Sequence, residues 1–134
     1  MSFTELRTDV VILTCAIGAG IHGALVPDHF KEGAGAGVGF VVATVLLAIL
    51  VVVLTHNPTQ FALAGTAAVF VGLIASYALV VTTGFPGLHP DVDAVDGLAL
   101  FTNVVEAVGF VTAANLLRRP SLAVVLSEPK GTLT

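Results

Sequence analysis

Four long apolar runs constrain this chain more than any other feature of its sequence. They cover residues 10–26, 33–54, 61–83 and 97–117. Each is close to the ~20 residues that an α-helix needs to cross a bilayer. Turn-forming or helix-breaking residues follow the runs: Pro27, Asn57-Pro58, Gly84-Phe85-Pro86 and Pro120. The sequence therefore predicts an all-α membrane protein, with one domain over residues 1–134 that folds as an antiparallel bundle of four transmembrane helices.

The composition supports a membrane location and excludes several other classes of protein. Charged residues make up only 10% of the chain and hydrophobic residues 56%, whereas soluble domains carry about 25% charged residues. The net charge of -4 argues against nucleic acid as a partner. The single cysteine, Cys15, and the single methionine exclude an intrachain disulfide, a multi-thiolate metal site and a methionine-rich copper relay.

The distribution of basic residues predicts the orientation of the bundle. With four spans, both termini lie on one side of the membrane, together with four of the five basic residues: Arg7, Arg118, Arg119 and Lys130. Only Lys31 falls on the other side. Since cytoplasmic segments carry the excess of Lys and Arg, we expect both termini and a tail over residues 118–134 to be cytoplasmic in the plasma membrane. Residues 27–32 and 84–96 then form the outer loops.

Glu106 lies near the middle of the fourth run, where a charge is costly. A helix rises ~1.5 Å per residue, which places Glu106 ~13 Å beyond Gly97 in a hydrocarbon core ~30 Å thick. A charge there costs roughly 3 kcal/mol or more, so such residues face a partner or a cavity. We expect Glu106 to point into the bundle or a subunit contact, with Asn103 or His22 nearby. It serves either as a structural bond or as a proton or cation relay.

Three of the four histidines gather at the outer end of the predicted bundle. His22 lies late in the first run, and His29 and His89 lie in the outer loops. Imidazole and carboxylate ligands suit copper or another transition metal, which makes these three histidines candidate metal ligands. The alternative is structural: His22 bonded to a carbonyl within the bundle, and Asp93 and Asp96 as N-cap and first-turn acids of the last helix. No spacing such as HxxxH decides between the two.

Small residues recur at helical spacing in every run and predict where helices approach closely. The candidate packing positions are Gly35, Gly39, Gly65, Gly72 and Gly109. The first run also contains Gly18-Ala19-Gly20-Ile21-His22-Gly23, which formally matches a GxGxxG nucleotide motif. No strand precedes it, so we interpret these glycines as a packing face.

One segment, Ile21-His22-Gly23-Ala24-Leu25-Val26-Pro27-Asp28-His29-Phe30-Lys31-Glu32, resembles a pattern in small, uncharacterised four-helix integral membrane proteins of bacteria. In these proteins a histidine late in the first helix precedes a Pro-x-His-x-x-Glu turn. The acidic segment before a last helix with an embedded acid, here Asp91 to Glu106, is also similar. Gly33 stands where the family often has a tryptophan. The resemblance implies a four-helix fold and no particular activity.

The sequence favours an accessory, non-catalytic subunit of a larger membrane complex, with a respiratory or metal-dependent oxidoreductase as the host. The chain has little mass outside the membrane, no tryptophan and one tyrosine, whereas lipid-facing proteins usually carry both at the interfaces. Other transmembrane subunits and the lipid bilayer are the expected partners. Two alternatives remain: a small metal-handling or assembly protein that binds a copper-type ion, and a small oligomeric channel or transporter that uses Glu106.

Overall fold

The structure, a computed structural model, describes residues 2–84 and 92–118. Every regular element in these ranges is a helix, and each helix is long and apolar enough to cross a membrane. The all-helical prediction is therefore confirmed. The helices are α1 (Phe3–Glu32), α2 (Ala34–His56), α3 (Gln60–Thr83) and α4 (Gly97–Leu117). The predicted tail beyond Arg118 lies outside the described residues.

Polar caps fix where the helices begin. Asp96 accepts a hydrogen bond from the backbone N–H of Ala99 at 2.8 Å and is the N-cap of α4, whereas the first turn of the helix holds no acid and Asp93 precedes the helix. Thr59 caps α3 in the same way through the N–H of Ala62, at 3.1 Å. At the other end of α3, Gly84 has a φ of 70°, a conformation that residues with a side chain rarely adopt.

Helix α1 continues past Pro27, contrary to the predicted end of the first span. A proline removes one N–H from the helix, but the turns beyond it keep their own bonds. His29 Nδ1 bonds the carbonyl of Leu25 at 2.9 Å, and the N–H of Gly33 bonds the carbonyl of His29 at 3.0 Å. The predicted loop over residues 27–32 is therefore helical, and Gly33 alone joins α1 to α2.

The bundle is tightly packed in one half only. Helix α1 packs along both α2 and α4, α3 packs along α4, and α2 and α3 touch least. The core lies in the first halves of α1 and α3 and the second halves of α2 and α4, which we call the His56 end. Its fully buried side chains include Val11, Cys15, Leu47, Leu54 and Phe70. The opposite half, where Gly33 joins α1 to α2, is the Gly33 end.

Only some of the predicted glycines lie at helix contacts. At Gly109 an added Cβ would lie 2.6 Å from Thr14 Oγ1 and 2.7 Å from Phe70 Cζ, so α4 approaches α1 and α3 closely there. Gly18 and Gly23 of α1 face Leu47 and Thr44 of α2 in the same manner. Two members of the GxGxxG sequence therefore are packing residues, as predicted.

Gly39, Gly65 and Gly72 do not pack against another helix within the part of the chain that the structure describes. No described neighbouring atom lies within 4 Å of a Cβ built at any of them. On α3, larger side chains, above all the buried Phe70, turn the side of the helix opposite Gly65 and Gly72 toward the core. Contact of these glycines with another chain stays a prediction.

Candidate functional site

The centre of the candidate site is a pair of side chains from the first and last helices. His22 Nε2 lies 3.0 Å from Glu106 Oε1. Glu106 is only 1% exposed, and the His22 side chain is 12% exposed. The structure thus confirms that Glu106 points into the bundle with His22 as its partner.

A single proton forms the hydrogen bond between these two side chains, whether the imidazole or the carboxyl group carries it. The imidazole N–H can donate to the carboxylate, or the carboxylic acid can donate to Nε2. A buried carboxylate without such a partner would lose its hydration and gain no hydrogen bond or opposite charge to offset the loss. The pair therefore explains how the fold accommodates an acid among apolar helices. It also places a transferable proton inside the bundle.

The pair forms part of the wall of a cavity of about 500 Å³ at the Gly33 end. All four helices contribute to the wall: the second halves of α1 and α3, the first half of α2, and the beginning of α4 with the residues before it. Small side chains open this space, because α2 presents Gly35, Ala36, Gly39 and Ala43 to it. Gly35 and Gly39, predicted as close-packing positions, therefore border the cavity.

Two polar atoms at this cavity lack a hydrogen-bond partner among the described residues. They are Nδ1 of His22 and the hydroxyl of Tyr77, and both atoms are buried from solvent. Both residues belong to the cavity wall. Buried polar atoms in native proteins almost always have a partner, so each such exception calls for a ligand or water. Each of these two atoms therefore needs a partner that the described residues do not supply.

An aromatic ring separates the two histidines of α1. The Phe40 ring stacks on His29 with 3.5 Å between ring centroids, and His22 meets the same ring edge-on at 5.1 Å. His29 also lies against its own helix, since Nδ1 bonds the carbonyl of Leu25 and Nε2 is 3.8 Å from Glu32. The two imidazoles are therefore held by different neighbours.

The structure does not assemble the predicted metal site from the residues it describes. Among residues 2–84 and 92–118, no three His, Cys, Asp or Glu side chains are placed to share a metal ion. His22 bonds Glu106, and His29 bonds its own helix. His89, the third predicted ligand, lies outside the described residues. A metal held by His22, His29 and His89 stays a prediction.

Acidic side chains surround the mouth of the cavity. Glu32, Asp93 and Asp96 belong to its wall. The nearby Lys31 points its ammonium at Asp28, 2.6 Å from Oδ1. Lys31 is thus paired with a carboxylate that is not part of the wall.

Asn103 lies on the cavity wall one turn before Glu106, but it does not bond Glu106. Its amide donates to the carbonyl of Ala99 at 2.9 Å, within its own helix. Sequence reasoning singled out Asn103 and Glu106 and did not find Tyr77 or Phe40 as site residues. The only available signal for Tyr77 was that it is the one tyrosine of the chain, inside an apolar run.

Comparisons with protein-family models, with curated proteins and with solved structures give no match to this chain.

Proposed function

We propose that this chain is an accessory, non-catalytic integral membrane subunit of a larger membrane complex. The observation that carries the proposal is the exposed small-residue face of α3, formed by Gly65, Ala68 and Gly72, which none of the residues 2–84 and 92–118 covers. Faces of this kind let helices approach closely in lipid, where apolar character alone drives little association. A respiratory or metal-dependent oxidoreductase is the proposed host class, by analogy with such complexes, which recruit small helical subunits.

The proposed topology is an antiparallel bundle in the plasma membrane with both termini in the cytoplasm. The short connections support it, since Gly33 alone joins α1 to α2 and residues 57–59 join α2 to α3. The contributions to the cavity support it as well, because second halves of α1 and α3 line it together with first halves of α2 and α4. The excess of basic residues near the termini supports the orientation.

Gentle detergent purification from the native host tests the subunit proposal. We expect stoichiometric co-purification with a large enzyme, and loss of that partner in Gly72→Leu. The matched control is Ala78→Leu, since Ala78 is also exposed but lies about 120° round the helix from Gly72. Purification of the wild-type chain alone, or equal partner loss in both variants, would contradict the proposal.

A second candidate function is a small oligomeric transporter or channel that uses Glu106. The specific observation in its favour is that the His22–Glu106 pair borders a cavity whose wall is formed by all four helices. Intramembrane acids in such positions commonly carry protons or cations. In reconstituted vesicles Glu106→Gln should then abolish proton or cation flux while the protein still assembles. Unchanged flux in that variant would exclude this role.

A further inference from the structure

We propose that the cavity at the Gly33 end binds an amphipathic organic ammonium, a molecule with one N–H-bearing cation on an apolar body. The proposal does not depend on the subunit function and would hold for an isolated chain. It combines four observations: the volume of the cavity, its mainly apolar wall, its charge, and two buried polar atoms without a partner.

The size and the wall suit the apolar body of such a ligand. A volume of about 500 Å³ falls in the range of roughly 300–1,000 Å³ typical of small-molecule sites. Ile21, Leu25, Leu73 and Val80 provide aliphatic surface, and Phe40 adds an aromatic ring that is stacked on His29. The cavity is therefore larger and more apolar than a site for a bare inorganic ion.

The charge of the wall selects a cation. Its carboxylate residues are Glu32, Asp93, Asp96 and Glu106, and the described wall residues include no lysine or arginine. An anion would meet like charge in a partly dehydrated space, which costs free energy. A cation gains the opposite charge instead.

The two unpartnered atoms explain why the cation should carry N–H groups. When the imidazole Nε2–H of His22 donates to the Glu106 carboxylate, Nδ1 is a lone pair that accepts a hydrogen bond. The Tyr77 oxygen can accept as well. In that state the His22–Glu106 pair carries one negative charge, which an ammonium neutralises while its N–H groups satisfy the acceptors. A quaternary ammonium or an alcohol could do only part of this.

Isothermal titration calorimetry on the full chain in detergent micelles tests the proposal with three probes of one skeleton: phenylbutylamine, phenylbutanol and phenylbutyrate. They share an apolar body and differ in the charge of the head group. Empty micelles correct for partitioning of the probes. We expect saturable binding of the amine to the wild-type protein, about tenfold or more tighter than the alcohol, because its hydrogen bonds are charge-assisted. The carboxylate should not bind measurably.

Two variants locate the site, with one matched control. Tyr77→Phe removes only the hydroxyl oxygen and should weaken amine binding several-fold with no change in fold. Glu106→Gln removes the charge and should weaken it by about tenfold or more. Asp28→Asn is the control, because Asp28 is exposed, pairs with Lys31 and does not line the cavity. It should bind like the wild type.

Several results of these titrations would contradict the proposed ammonium site. Equal binding of amine and alcohol, tighter binding of the carboxylate, or no saturable binding of the amine would overturn the proposal. The same holds if Tyr77→Phe, confirmed as folded by circular dichroism, binds the amine as tightly as the wild type. Loss of binding in Asp28→Asn to the same extent as in Glu106→Gln would also overturn it, because general surface charge would then explain the binding.

Discussion

His22 Nε2 and Glu106 Oε1 lie 3.0 Å apart, although 84 positions separate the two residues in the sequence. The bond joins α1 to α4, the two helices farthest apart along the chain. It connects α1 to α4 at the Gly33 end, where a cavity lies between the described helices instead of a tightly packed core. This polar pair connects helices in this half of the bundle, as the buried side chains of Phe70 and Leu47 do at the His56 end. The same pair supplies the negative charge for the proposed ammonium site and the carboxylate for the proposed transport of protons or cations.

The stability of the fold should depend on this bond in a graded way. Glu106→Leu leaves Nε2 of His22 buried without a partner, which costs about 1–3 kcal/mol. Glu106→Gln keeps a hydrogen-bonding amide of the same shape and should cost less. Thermal unfolding in detergent, followed by circular dichroism, measures both. Glu32→Gln is the control, because Glu32 is 3.8 Å from His29 and exposed. Equal unfolding temperatures for Glu106→Leu and the wild type would contradict the prediction.

Close packing at Gly109 predicts a steric penalty for the smallest side chain. The Cβ of alanine would lie 2.6 Å from Thr14 Oγ1 and 2.7 Å from Phe70 Cζ. We expect Gly109→Ala to lower the free energy of unfolding by about 1–3 kcal/mol, since neighbours must move to admit it. The control is Gly20→Ala, where no neighbouring atom lies within 4 Å. That change should be neutral or slightly stabilising, because alanine favours the helix. Equal effects of the two substitutions would contradict this account.

Phe70 fills the core at the His56 end and should be the most costly aromatic to remove. It is fully buried, whereas Phe61 on the same helix is 91% exposed. Phe70→Ala leaves a void whose walls lose their packing contacts, at a cost of about 3–5 kcal/mol. Phe61→Ala should change unfolding by far less in the same assay. A similar loss from both would mean that the core is not where the structure places it.

The topology proposal predicts which positions react with an impermeant thiol reagent. In a Cys15→Ala background, a cysteine at Lys31 should label from outside intact cells, and a cysteine at His56 only after permeabilisation. Both native side chains are exposed, so access does not limit the reaction. The reason for the orientation is the concentration of Arg and Lys near the termini. The reverse labelling pattern would show that the termini face outward.

Local sequence was enough to predict the four helices and most of the residues at which they begin and end. Hydrophobic runs of spanning length have few alternatives, because a backbone without water must form its hydrogen bonds internally. The acids before the fourth run predicted a capped start of α4, and the structure assigns the N-cap to Asp96. Pro27 shows the limit of such reasoning, since the loss of one N–H does not end a helix whose neighbouring turns remain bonded.

Tertiary structure alone decided which faces of the helices meet. Gly72 and Gly109 look alike in the sequence, yet among the described residues only Gly109 of the two lies against other helices, because Phe70 and Thr14 converge on it. Gly35 and Gly39 of α2 predicted close packing and instead border a cavity. Likewise, Glu106 was recognisable from its cost inside an apolar helix, but its pairing with His22 and the unpartnered Tyr77 hydroxyl were not. Hydropathy and capping act within a few residues, whereas these contacts depend on how all four helices pack together.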